Sequence, residues 1–163
     1  MLFRSAILVE AQYQPDVSVG VGTGAFSASF VASSVGVSLG TITDNTTVQS
    51  LIQSASVSAP QGTIEVATNS KSNLEAQVVP TALSLGLGSV GSATGVSTIV
   101  DNAQYLATVN NANAITAQTL AVQAQSQDAL DALTQGGAGG VAAIGVFLAN
   151  ATRGGSTAAQ VEL

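Results

Sequence analysis

The sequence predicts an all-β chain in which strands from a long internal repeat stack on one another, and three observations carry that expectation. Apolar residues alternate with serine and glycine at a period of two, in Val17, Val19 and Val21, in Val35, Val37 and Leu39, and in Ile64 and Val66 around Glu65. That alternation puts one set of side chains on one face of a pleated strand, which β-branched residues suit. A series of features recurs three times along the 163 residues, at a spacing of 56 to 57 between the openings of successive copies, as in a stacked array. Charged residues make up only 7% of the chain, against about 25% in an ordinary soluble domain. The hydrophobic share of 46% argues against disorder, which goes with few apolar residues and high charge.

Each copy opens on a similar strand: ILVEA at Ile7 to Ala11, IEVAT at Ile64 to Thr68, and LAVQA at Leu120 to Ala124. A glycine-spaced stretch follows, at Val19 to Gly24, Leu85 to Gly91 and Gly136 to Gly140. Then comes GVS at Gly36 to Ser38 and Gly95 to Ser97, with GVF at Gly145 to Phe147. Asp44-Asn45 and Asp101-Asn102 lie 57 apart, and Asn150 takes the corresponding place in the third copy. The chain is therefore expected to be one segment, 1–163, with copies at approximately 7–63, 64–119 and 120–163. Neither end has the polar cap that shields the open edges of a stacked array. It reads as an open-ended excerpt of a longer repeat protein.

Within a copy, turns are expected where Ser, Thr, Asn, Pro and Gly cluster, at Thr41 to Thr47 and at Ala59 to Thr63 around Pro60. A single round coil of 56 residues would enclose more space than Ala, Val and Leu fill at native density. Two or three rungs of about 20 residues per copy are expected instead, making a β-solenoid of roughly six to eight rungs, about 30 to 40 Å long. On that reading, equivalent positions of successive copies need not be adjacent, and a ladder of Asn45, Asn102 and Asn150 is optional. Helical spacing of Val122, Ala129, Leu130 and Leu133 competes over Asp128 to Gln135, with Ser126 as an N-cap and Gly136 as a stop. The equivalent stretch of the first copy, Thr47 to Ala59, is rich in Ser and Val, so the repeat argument favours a strand.

The segments Gly62 to Ala76, Leu85 to Asn102 and Gln118 to Asn150 resemble the long repeats of bacterial filamentous-haemagglutinin-like and leukotoxin-like surface adhesins, and the resemblance extends from Ile7 to Leu163. It implies a parallel β-helix exported across the outer membrane as an autotransporter or two-partner passenger, on the cell surface or secreted. It transfers no binding residues, and this sequence has no secretion signal, secretion domain or C-terminal barrel of the complete family pattern.

Composition excludes several function classes. The chain has no His and no Cys, hence no Ser-His-Asp triad, thiolate nucleophile, disulfide framework or Cys/His zinc site. A net charge of −6, with only Arg4, Lys71 and Arg153 as cations, argues against nucleic acid and anionic membranes as partners. Met1 to Val9 is too short in its apolar run for a secretory signal. Gly136 to Ala149 is too short and too glycine-rich for a transmembrane helix, and four Phe and two Tyr supply no aromatic girdles for a membrane barrel.

Candidate sites are few. Gly86, Gly88 and Gly91 match a dinucleotide fingerprint, but Ser92 to Val100 is no helix and Asp101 comes too early to be the acidic partner. Gly136 to Gly140 lacks the aspartate of calcium-binding nonapeptides. Asp128 and Asp131 are the remaining calcium candidates, with a solvated turn as the favoured reading. Glu65 with Glu75, or Asp128 with Asp131, are the only close carboxylates for glycoside chemistry. Asn45-Thr46-Thr47 and Asn150-Ala151-Thr152 are N-x-T triplets that would lie on exposed turns. No catalytic, cofactor or metal residue is assigned. The expected function is a rod-forming structural and interaction segment of a secreted adhesin, with no enzymatic activity. Its partners would be flanking repeats and cell-surface receptors or glycans. The rival functions are a β-helical polysaccharide-active enzyme fragment and an ice-binding solenoid, the latter resting on Thr41-Ile42-Thr43.

Overall fold

The computed structural model describes residues 6–162. Arg4 and the first five residues of the Met1 to Val9 segment lie outside the described residues, as does Leu163. The strands are β1 (Ile7–Tyr13), β2 (Asp16–Ala28), β3 (Ser33–Asp44), β4 (Thr47–Gln53), β5 (Ser56–Leu85), β6 (Val90–Asp101), β7 (Gln104–Asn110), β8 (Ala114–Thr134), β9 (Gly137–Gly139), β10 (Ala142–Arg153) and β11 (Ser156–Glu162). The described residues contain no helix, so the fold is all-β; Asp128 to Gln135 is extended, as the repeat argument predicted. All strand pairings are parallel. They build three sheets: a long one from β1, β2, β5, β8 and β9, a middle one in the order β10-β6-β3, and a short one in the order β11-β7-β4.

The register decides how the copies relate. Ile7 lies opposite Ile64 and Ile64 opposite Leu120, so the three opening strands pair directly. Asp16 faces Asn73, Ser33 faces Val90 and Thr47 faces Gln104, an offset of 57 each time. The third copy joins the middle and short sheets at an offset of 52, Ala142 opposite Val90 and Ser156 opposite Gln104. Each copy thus supplies one layer to every sheet. Short rungs of about 20 residues are not what forms, and three layers at about 4.8 Å spacing give a depth of only about 15 Å.

The expected width problem is solved by flattening. Strand β5 runs 30 residues, about 100 Å when extended, and the two returning sheets pack against its inner face. Near the short sheet the interior is ordinary: Ile52, Ala59, Ile64, Val66, Ala107 and Val109 form one cluster, with Leu120 and Val122 packed on it. Beyond it, Ile42, Leu74, Ala76 and Ile99 form a second. Farther along, the inner side of the middle sheet thins to glycine, serine and alanine, set against Val78 and Pro80 of the long sheet. A Cβ on Gly36 would stand 2.5 Å from the Thr81 carbonyl oxygen, and one on Gly40 would stand 2.7 Å from Val78 Cγ2. Larger residues do not fit there, so the alternation of β3 runs inside out. Ser34, Gly36, Ser38 and Gly40 are buried, while Val35, Val37 and Leu39 face solvent.

Two expected repeat features do not stack. Gly36 lies opposite Ala93 and Ser38 opposite Gly95, so the GVS motifs are slipped by two residues. The glycine-spaced stretches occupy different places: Val19 to Gly24 lies opposite Ala76 to Thr81, whereas Leu85 to Gly91 makes the turn into β6. Pro80 is buried in the middle of the long sheet and has no N–H to give the ladder. The third copy breaks there, ending β8 at Thr134 and resuming β9 at Gly137 opposite Thr81.

Candidate functional site

Buried polar side chains occur along the interior, but among the described residues the buried charged ones, Asp44, Asp101 and the Asp128 side chain, gather at one corner, where the middle sheet turns into the short sheet. Strands β3 and β6 both end on aspartate, Asp44 opposite Asp101, and β10 ends on Arg153 opposite Asp101. The two aspartates build the same local structure. Asp44 Oδ1 accepts the Thr46 N–H at 2.9 Å and Asp101 Oδ1 accepts the Ala103 N–H at 3.0 Å, Asx turns that let the chain leave one sheet and enter the next. Asn102 donates from Nδ2 to Asn45 Oδ1 at 3.1 Å, tying the layers at the corner. The third copy turns differently, with the Gly154 and Gly155 N–H groups both reaching the Asp101 carbonyl. Gly155 comes so close to the Ala103 carbonyl that a side chain there would collide with it.

From the long sheet, β8 projects Asp128 into the same corner. Its side chain is fully buried and forms an ion pair with Arg153 at 2.7 Å. Ser126 donates to Oδ2 at 2.7 Å and Ser72 to Oδ1 at 2.7 Å; Arg153 also contacts the Ser126 hydroxyl. Burial pushes the Asp128 carboxyl up, but the Ser126 and Ser72 hydroxyls, Arg153 and the Ser72 backbone outweigh it, and the net shift is downward. Asp101 goes the other way. It is 1% exposed, its Oδ2 has no partner, and burial with the charges of Asp128 and Asp44 raises it against the Ala103 N–H and Arg153.

The chain's two tyrosines both sit here, ring centroids 6.4 Å apart. Tyr13 donates to Asp44 Oδ2 at 3.2 Å, so Thr46 is the donor in its 3.0 Å contact with the Tyr13 oxygen. Tyr105 is buried with its hydroxyl unpartnered, and burial raises its pKa. On the first-copy side, Tyr13, Pro15, Ile42, Asp44 and Thr46 line a recess of about 310 Å³. Opposite pKa shifts on neighbouring carboxyls are what an acid/base pair needs. Here, however, Asp101 and the Asp128 side chain are closed off from solvent, and their interactions hold the corner together.

The residues singled out from sequence are dispersed. Asp128 and Asp131 are three apart on one strand and so point to opposite faces; Asp131 is exposed, opposite Glu75. Glu65 and Glu75 share the outer face of β5 but are ten residues apart, about 33 Å along a strand, far beyond the roughly 5 to 9.5 Å of paired glycosidase carboxyls. Gly86 and Gly88 lie in the turn into β6 and Gly91 lies within β6 itself, a strand where the fingerprint needs a helix. A side chain on Gly86 would collide with the Ser29 carbonyl. Gly137 to Gly139 is strand β9. Asn45 is exposed at the corner, whereas Asn150 lies within β10 opposite Thr98. The ladder therefore has two members, and Gly154 stands against Asn102 in the third layer.

The repeated Asp-Asn pair was visible in the sequence as a turn. Burial of Asp101, the partnership of Asp128 with Arg153, and the tyrosine pair were not. The one signal for them is rarity: few ionisable groups and only two tyrosines exist in this chain, and both tyrosines meet Asp44, Asp101, Asp128 and Arg153 at this corner. Comparison with protein-family models, curated proteins and solved structures gave no match.

Proposed function

We propose that this chain is a segment of a parallel β-solenoid with one copy of roughly 52 to 57 residues per turn, and that it serves as a structural and interaction stalk of a secreted bacterial surface adhesin. The observation that carries the reading is the direct pairing of Ile7, Ile64 and Leu120. Layers that pair at a one-copy offset extend by adding copies, with no change of geometry. Both faces of the stack support this. Among the described residues, β3 and β10 each pair on one side only, and Phe147 is 38% exposed while Gly95 and Ser38, the residues stacked with it, are buried. The recess beside Tyr13 and Asp44 has the place that a preceding layer would cover. Flanking repeats are thus the first partners, and receptors or glycans on other cells the second.

The adhesin part of the reading draws on the sequence resemblance and on a composition that offers length without reactive groups. Antibody raised against the purified chain tests it. Labelling of intact cells of the organism that encodes the chain is the expected result, together with reduced attachment of cells lacking the gene. Labelling confined to permeabilised cells would refute a surface location.

A further inference from the structure

The middle sheet presents its larger apolar residues outward because its inner side is too close to the long sheet to hold them. Val35, Val37 and Leu39 on β3 and Ile144, Val146 and Leu148 on β10 are between 45% and 65% exposed. They lie in register across β6, Leu39 opposite Val96 opposite Leu148. Every second residue from Ser33 to Thr43, Val90 to Val100 and Ala142 to Thr152 faces outward, and none of them is ionisable. The chain's acidic excess is elsewhere: Glu10, Asp16, Glu65, Glu75 and Asp131 occupy the outer face of the long sheet.

We propose that this outer face of the middle sheet packs against the same face of a second copy of the chain. Strands of 12 residues make the face about 40 Å long, and three of them make it about 14 Å wide. The footprint is then about 550 Å² per copy, or about 1,100 Å² for the pair, which passes the threshold of about 1,000 Å² for a specific interface. Two chains of net charge −6 repel through their long sheets and meet without like-charge contact on this face. A two-fold arrangement needs only that the patch be self-complementary, and flat sheets with alternating Val, Leu and Thr interdigitate at about 10 Å. The proposal holds whether or not the chain belongs to an adhesin.

Sedimentation equilibrium of the whole chain, at about 1 to 100 μM, the range in which an interface near the size threshold is expected to associate, is the test. A monomer–dimer equilibrium is expected, weakened at least tenfold by the pair Val37→Lys and Val146→Lys and unchanged by Gln125→Lys on the long sheet. Circular dichroism checks that the variants keep the β spectrum, and the milder pair Val37→Thr and Val146→Thr, expected to weaken the dimer several-fold, serves if the lysine pair does not fold. A chain monomeric throughout would overturn the proposal. So would a dimer untouched by the face variants, which assigns association to open strand edges. Flotation of monomeric chain with phosphatidylcholine vesicles, lost in the lysine pair, would overturn it in favour of a lipid surface.

Discussion

Asp101 and Asp128 face the same corner with opposite consequences for stability. Asp101 has its pKa raised from the ordinary value of 3.8, chiefly by burial. A carboxyl raised in the folded state holds its proton longer there than in the unfolded chain, so stability falls as pH rises from the ordinary value through the folded one. Asp101→Asn keeps the oxygen that accepts the Ala103 N–H and removes the buried charge. Urea unfolding at pH 7 should show a gain of about 1 to 2 kcal/mol, shrinking to nothing below pH of about 4, where both states are protonated. Asp128 is lowered, so its contribution is present above the ordinary carboxyl pKa and lost as pH falls through the depressed one. Asp128→Ala, which leaves the Ser72 and Ser126 hydroxyls without their acceptor, should cost about 2 kcal/mol at neutral pH. Arg153 is 45% exposed; Arg153→Ala should cost about 1 kcal/mol, less in high salt. None of this was legible beforehand, because a strand pattern shows which residues share a face and not which faces converge.

At the scale of the strand, glycine separates inside from outside. Gly20 on β2 has open space where a Cβ would be, whereas Gly36 on β3 faces the Thr81 backbone. Gly20→Ala should be neutral or stabilising by about 0.5 kcal/mol, since alanine loses less backbone freedom on folding. Gly36→Val should cost about 1 to 3 kcal/mol or prevent folding, because backbone, unlike a side chain, has no rotamer with which to yield. Thermal unfolding of the two variants in parallel checks the contrast. The period of two was read correctly as strand, but Ala59 to Thr63, expected as a turn, runs straight through β5 with only a register irregularity against β8, because the three residues around Pro60 bulge rather than reverse the chain. The interior side was not readable from the period: when a sheet packs at glycine distance, serine and glycine form the inside and valine the outside. The GVS motif misleads for a related reason, since a slip of two residues preserves the face of every side chain and leaves no mark in the pattern.

For the molecule as a whole, the opening strands ILVEA, IEVAT and LAVQA and the Asp-Asn corners carried the true one-copy register, 57 between the first two copies and 56 at the opening of the third, and both are points where geometry constrains the residues: a filled core at one and an Asx turn at the other. The layer size was not legible, because a coil's interior was assumed round. A flattened one needs only small residues along much of its length, which this composition supplies. The central claim is that one copy makes one layer, and engineered disulfides measure it directly, since the chain has no cysteine of its own. Thr41 and Thr98 lie opposite each other on the outer face of the middle sheet, within the Cα separation of roughly 4.4 to 6.8 Å that a disulfide spans. Thr41→Cys with Thr98→Cys should cross-link on mild oxidation without loss of the β spectrum, and Thr41→Cys with Gln61→Cys, 20 residues apart, should not. Cross-linking of the second pair in place of the first would contradict the one-copy layer and restore short rungs.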